Sequence, residues 1–266
     1  MSIITLLTDF GVIDEYVGIM KGVILSINPL AAIVDITHHI APQDLIQTAY
    51  VIASSYVYFP QGTVHIIVVD PGVGGDRAII ALERKGHILL APDNGVLTLL
   101  FEAGSIGPII RVENPSYFLD SISQTFQGRD IFAPVGAYLS KGIELEVLGA
   151  PVDQKDLICL SIQKPFISEE SELIGLIVWI DRFGNLITNI DFSSLDKFCT
   201  SDRGAPPGVK IGGQLITGFS KSYGSVGLQK PLAIIGSRGY LEIALNCGSA
   251  ENYFGAKKGD AVRVLY

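Results

Sequence analysis

Charge is scarce in this chain. Only 17% of its 266 residues are Asp, Glu, Lys or Arg, while 48% are hydrophobic. That balance excludes a long disordered tail, which needs high charge and little apolar content. Cysteine is scarcer still. The three present, Cys159, Cys199 and Cys247, are odd in number and far apart. They form neither a disulfide framework nor a zinc-ligand spacing, and a reducing cytoplasm is the expected location. The four histidines (His38, His39, His65, His87) lack metal-ligand spacing as well, so no metal site is expected. Positive charge is in deficit: the net charge is −8 and the pI near 5.0. A nucleic-acid or anionic-membrane partner does not suit that field, and a cationic or zwitterionic small molecule does. No apolar run reaches the length of a membrane span. The opening MSIITLLTDFG has no basic segment before its short apolar run and meets Asp9 soon after. It reads as a buried first strand, not a secretory leader.

What is present falls into two grammars. In the first half, strand-like runs (3–7, 32–36, 63–69, 78–82, 88–91) are interleaved with helical patterns at 16–27, 44–56 and about 96–101. This predicts an α/β domain with a doubly wound, mostly parallel sheet and ligands at the strand C-terminal ends, over residues 1–162. Residues 163–172, polar with one proline, read as a linker. From 173 to 266, short strands at 171–180, 208–211, 232–235 and 261–265 are separated by Gly, Pro and Ser. Only one helical piece, near 194–199, interrupts them, so this part is expected to be a small β domain.

Several stretches carry chemistry. TDFG (Thr8–Gly11) puts Asp9 at the end of strand one, where an α/β fold hydrogen-bonds a ribose diol, although a plain turn residue explains it equally well. Asp14, just before a helix, is expected to be its N-cap. VDPGVGGDR (Val69–Arg77) has neither dinucleotide-fingerprint spacing nor a P-loop lysine. Its glycines let the backbone approach a ligand, and Asp70 and Arg77 bracket the turn; taken alone, a structural ion pair across the loop is the favoured explanation. WIDRFGN (Trp179–Asn185) and GSRGYLEIALNCGSA (Gly236–Ala250) place Asp181, Asn185, Ser237, Arg238 and Asn246 on glycine-rich turns. His65, alone in an apolar strand, is expected to be a hydrogen-bonded core residue. There is no G-x-S-x-G nucleophile elbow.

TDFG, VDPGVGGDR, APDNG, TFQGRDIFAP, DRFGN and SRGYLEIALN, in that order from Thr8 to Ser249, resemble the S-adenosyl-L-methionine hydroxide adenosyltransferase family. This is the hydrolase branch related to the fluorinase and chlorinase. The resemblance implies a C-terminal β-barrel-like domain and a homotrimer with active sites between subunits. It implies hydrolysis of S-adenosyl-L-methionine to adenosine and L-methionine, with that molecule as substrate and no cofactor or metal. Asp9 would bind the ribose hydroxyls, Asn185 and the backbone near Cys247 the adenine, and Tyr223 would pack on the purine. Asp181 and Ser237 would take the methionine ammonium, and Arg238 its carboxylate. Phe10, Asn94, Phe183 and Asn246 complete the substrate-binding set.

The halogenase branch has Tyr in place of Asp70 and Trp in place of Gln43, and carries an extra loop after the glycine turn that is missing here. Asp70 and Arg77 therefore side with the hydrolases. Their usual third partner is a His in T-F-x-G-R-D, and Gln127 stands at that position. Gln127 thus joins Asp70 and Arg77 as a catalytic candidate. An amide can orient water but cannot take its proton at neutral pH. Slow hydrolysis is the expected activity. A non-catalytic S-adenosylmethionine or adenosine binder and a halide-dependent adenosyltransferase are the competing readings.

Overall fold

The computed structural model describes residues 2–104, 106–200 and 207–266. Residues 1–161 and 162–266 form two compact units.

In the first unit the strands are β1 (Ile3–Thr8), β2 (Ala32–Thr37), β3 (Val64–Val68), β4 (Ile79–Arg84), β5 (His87–Pro92) and β6 (Ile109–Arg111). The helices are α1 (Tyr16–Ile27), α2 (Leu45–Ser55), α3 (Thr98–Glu102) and α4 (Ala133–Ser140). The sheet order is β2-β1-β3-β5-β4-β6. β2, β1, β3 and β5 run parallel, while β4 is antiparallel to both neighbours. The β4–β5 turn is Lys85-Gly86, both at positive φ, the two-residue geometry that suits the twist of a hairpin.

Alternation along the buried strands makes the fold doubly wound. Ile4, Leu6, Val64, Ile66, Val68, Ile79 and Ala81 share a core with Val17, Met20 and Ile24 of α1 and with α4. The intervening Leu7, Ile67, Val69, Ile80 and Leu82 share a second core with α2 and α3. Asp44 caps α2 by accepting from the Gln47 N–H at 2.9 Å. The expected cap at Asp14 is corrected: Glu15 holds the N-cap position of α1, and no side chain caps it. Asp14 instead lies exposed in the connection after β1.

In the second unit, β7 (Phe166–Ile167), β8 (Leu173–Ile180), β9 (Leu186–Asp191), β10 (Gly208–Ile211), β11 (Gln214–Thr217), β12 (Pro231–Ile235), β13 (Tyr240–Leu245) and β14 (Ala261–Leu265) form one antiparallel sheet. Its order is β11-β10-β14-β8-β9-β13-β12, with β7 also paired to β8. The two edges approach one another, since Ser220, just after β11, donates to the Ala233 carbonyl of β12 at 2.8 Å. The sheet therefore nearly closes into a barrel around Ile177, Leu186, Val209, Ile243 and Val262. Helices α5 (Phe192–Cys199) and α6 (Ala250–Phe254) add Leu195, Phe198 and Ala250 to that core. The stretch 163–172, read from sequence as a linker, contributes β7. Tyr240–Leu245, not among the strands expected from sequence, is a strand with five of six residues buried. Among the described residues, no helix is long and apolar enough to cross a membrane.

His65 is a satisfied core residue, as expected. Its Nδ1 lies 2.8 Å from Thr5 Oγ1 and its Nε2 3.1 Å from His87 Nδ1. Burial, reinforced by His87, pushes its pKa down to about 3. In the unfolded chain it titrates near 6.5, so acid protonates the unfolded state first. Stability should fall as pH drops below about 6.5, and this contribution should level off near pH 3. Urea denaturation from pH 7.5 to 5 checks this. His65→Gln should flatten the slope by up to about 1.4 kcal/mol per pH unit, and an unchanged slope would assign the acid sensitivity elsewhere.

Candidate functional sites

The first unit carries a cleft of about 250 Å³ where β1 and β3 end, lined by Asp9, Phe10, Gln43, Val68, Asp70, Pro71, Val73 and Thr125–Gly128. Carboxyl ends of parallel strands are where open α/β sheets bind ligands. Asp9 is fixed by the Gln43 backbone N–H, which donates to its Oδ2 at 2.8 Å. Gln43 has φ 65°, a left-handed conformation that turns its N–H toward Asp9. Phe10 and Phe126 meet edge to face at 6.1 Å and make an apolar wall.

Asp70 and Arg77 lie across the glycine turn. Arg77 Nε donates to Asp70 Oδ2 at 2.7 Å, and its Nη2 reaches the same oxygen. Nη2 also donates to Gln127 Oε1, so one guanidinium ties together all three catalytic candidates. Asp70 Oδ1 is buried and has no hydrogen-bond donor among the described residues. A buried acceptor without a donor is costly unless something else supplies one. Gln127 occupies the position before a π-helical turn, Gly128–Phe132, that leads into α4, yet its side chain caps nothing. The turn is widened because Pro134 has no N–H to offer the Asp130 carbonyl; that carbonyl accepts from Leu119 N instead, at 2.9 Å. Burial raises the Asp130 carboxyl, but Arg129 and the Ser123 N–H outweigh it and hold its pKa below the usual range. Asn94 does not line this cleft. Its amide donates to the Val69 carbonyl at 3.0 Å and so braces the approach to Asp70.

The second unit carries a larger cleft, about 680 Å³, lined by Asp181, Phe183, Asn185, Tyr223, Ser237, Arg238, Glu242, Leu245, Cys247 and Gly248. Seven of the eight candidates expected in this unit meet here. The eighth, Asn246, points away and donates to the Val226 carbonyl at 2.7 Å. Asp181 accepts from the N–H groups of Phe183 (2.8 Å) and Asn185 (3.0 Å), and from Asn185 Nδ2 (3.0 Å). Committing Nδ2 to Asp181 leaves Asn185 Oδ1 as an acceptor for a ligand amino group. Arg238 stacks over the Trp179 ring at 5.2 Å.

Glu242 was missed by the sequence reading. It is 5% exposed, and Tyr223 donates to its Oε1 at 2.6 Å. Burial, with the Tyr223 hydrogen bond opposing and Asp181 reinforcing it, sets the Glu242 carboxyl above its ordinary pKa. Burial and Glu242 push the Tyr223 phenol up to about 12. The missed signal was period-two alternation in YLEIALN: Leu241 and Ile243 enter the core, which leaves Glu242 between them on the cleft face.

Residues 4–149 match the family model for the SAM hydroxide adenosyltransferase N-terminal domain, and residues 175–263 match its C-terminal domain. A (R)-S-adenosyl-L-methionine hydrolase from Thermus thermophilus is 36% identical, covering 97% of this chain and 98% of its own. One from Methanocaldococcus jannaschii is 35% identical, covering 100% and 97%. A fluorinase from Nocardia brasiliensis is 28% identical, covering 98% and 96%. Among solved structures, an uncharacterized conserved protein from Thermotoga maritima aligns with TM-score 0.91 at 37% identity, covering 99% of this chain and 100% of that one.

The first cleft depends on the path of the 70–77 loop. Gly74 has φ 78°, and a Cβ there would sit 2.3 Å from the Gln124 carbonyl oxygen. Gly74→Ala should destabilise the protein by about 1–3 kcal/mol, through both the clash and the left-handed backbone. A urea midpoint equal to the parent's would show that the loop does not pack as described.

Proposed function

Because the chain belongs to the SAM hydroxide adenosyltransferase family, we propose that it hydrolyses S-adenosyl-L-methionine to adenosine and L-methionine by in-line attack of water at C5′. The observation that carries this reading is the state of Asp70. Arg77 occupies its Oδ2, while Oδ1 is buried, on a residue that lines the cleft, without a protein donor among the described residues. In this reading Oδ1 accepts a hydrogen of the attacking water. Gln127 Oε1 is committed to Arg77, so its Nε2 remains a donor and holds the same water through one lone pair. The other lone pair forms the C5′–O bond as the C5′–S bond breaks and its electrons pass to sulfur. The sulfonium leaves as the neutral thioether of methionine, so the departure needs no general acid, metal or cofactor. The water's proton goes to Asp70 and then to solvent. Phe10 and Phe126 help keep bulk water from the reacting centre.

Asp9 binds the ribose diol in the same reading. Asn185 and the backbone at Cys247 hold the adenine, and Tyr223 packs against it. Asp181 and Ser237 bind the ammonium, and Arg238 binds the carboxylate, with bidentate geometry open to it. Two carboxylates, Asp181 and Glu242, face one guanidinium in the second cleft. That set suits a ligand with an ammonium, a sulfonium and one carboxylate. The assembly proposed is a homotrimer with active sites between subunits, which light scattering tests directly. A cytoplasmic location is proposed from the three free cysteines.

Incubation with S-adenosylmethionine followed by chromatography separates the possible activities. Adenosine supports hydrolysis; unchanged substrate means a binder; 5′-halo-adenosine in the presence of halide means a halide-dependent transferase. Both sulfonium epimers belong in the assay, because the relatives' names specify the R form. Arg238→Ala should weaken S-adenosylmethionine far more than adenosine in calorimetry, and equal losses would remove Arg238 from the amino-acid end.

Gln127→His should raise kcat by roughly 10²-fold, the usual scale of a positioned base, with KM little changed. The rate of the variant should rise with pH through the imidazole pKa, about 6.5 before the environment acts. A variant with the parent's rate and a flat profile would deny position 127 a part in proton transfer.

A further inference from the structure

Behind the first cleft lies a buried imidazole that the proposed chemistry does not use. His38, 3% exposed, follows β2, and its Nδ1 is 2.8 Å from Thr8 Oγ1. Thr8, fully buried at the end of β1, accepts the Phe10 N–H on the same oxygen at 3.2 Å. A threonine hydroxyl has one hydrogen, and His38 Nδ1 is the acceptor within reach. The imidazole Nε2 lies 3.0 Å from Asp35 Oδ1, an electrostatic contact rather than a well-aligned hydrogen bond. Lys21 holds the other oxygen of Asp35 at 2.6 Å.

His38 grips the same segment a second time through its backbone, because its carbonyl accepts the Gly11 N–H at 2.7 Å. Asp9 lies between these two anchor points, and the Gln43 N–H makes a third. The end of β1 and the turn after it are thus tied to the connection after β2 at Thr8, Asp9 and Gly11. We infer that His38 is a positioning residue for ligand binding: through Thr8 and the Phe10 N–H it holds Asp9 in the geometry that receives the ribose diol. The inference rests on the reading of Asp9 as the ribose ligand. It assigns His38 no contact with substrate and no proton transfer.

Substitutions separate this role from simple core packing. Asn at 38 keeps an acceptor near the Nδ1 position, whereas Gln extends toward the Nε2 position and loses it. Thr8→Val removes the hydroxyl at nearly constant volume and carries the test if His38→Gln folds poorly; melting curves establish that each variant is folded. Calorimetry on the full chain with adenosine should show Kd raised about tenfold for Thr8→Val and His38→Gln, the scale of one lost hydrogen bond. His38→Asn should stay within about twofold of the parent because it keeps that bond. In turnover, KM should rise while kcat holds, and on an Asp9→Ala background His38→Gln should have no further effect on adenosine affinity. Parent-like affinity in folded Thr8→Val and His38→Gln, or additivity with Asp9→Ala, would overturn the inference while leaving the proposed function standing. A parent that turns over no S-adenosylmethionine and binds no adenosine would overturn both.

Discussion

The Arg77 guanidinium sets the geometry of the first cleft. It gives two N–H groups to Asp70 Oδ2 and shares one of them with Gln127 Oε1. A planar fork that satisfies one oxygen of a carboxylate leaves the other uncommitted. It also fixes which end of a neighbouring amide is free to donate. In the proposed reaction Asp70 is therefore the acceptor and Gln127 the donor to one water, held at both its hydrogen and its lone pair. The proposed reaction tolerates an amide at 127, where the resemblance implies a His, because the orienting part of the task needs only hydrogen bonds. What is lost is a second place for the proton.

This geometry depends on three loops at the strand ends. The 70–77 loop takes its path from Gly74, which lies against the Gln124 carbonyl. The 119–123 segment is bound to Asp130 through Leu119 N and Ser123 N, so the turn that carries Gln127 cannot shift alone. The turn after β1 is held from behind by Thr8 and His38 and from the side by Gln43. In the second unit, Asp181 organises its own turn by accepting three donors from Phe183 and Asn185. Asp9, Asp70, Gln127 and Asp181 are thus each held by further bonds, which is how a site keeps a productive geometry without rearranging on binding.

Much of this was legible in the sequence for physical reasons. Buried strands advertise themselves as short apolar runs, so Asp9 and Asp70, which follow such runs, could be placed at strand ends, and Gln127, just before a Gly turn signal, at a turn entry. Side-chain direction was not legible. An asparagine in a turn reads alike whether its amide meets a ligand or its own loop, and Asn94 and Asn246 both turned to backbone carbonyls. Asp14 looked like a cap, but the chain begins α1 one residue later without one. Backbone donors are also silent in sequence, so the hold of Gln43 on Asp9 could not be read. Glu242 was hidden because its strand went uncounted between two glycine-rich turns, although its alternation with Leu241 and Ile243 was there to be counted.

The central claim is that Asp70 Oδ1 receives the proton of the attacking water while Arg77 holds the opposite oxygen. Single-turnover hydrolysis of S-adenosylmethionine by Asp70→Asn tests it most directly, since the amide keeps the shape and removes the base. The account predicts a chemical step slower by at least about 10²-fold, with adenosine and S-adenosylmethionine affinities within about twofold of the parent, because only a transition-state interaction is lost. An Asp70→Asn protein that hydrolyses substrate at the parent's rate would contradict it.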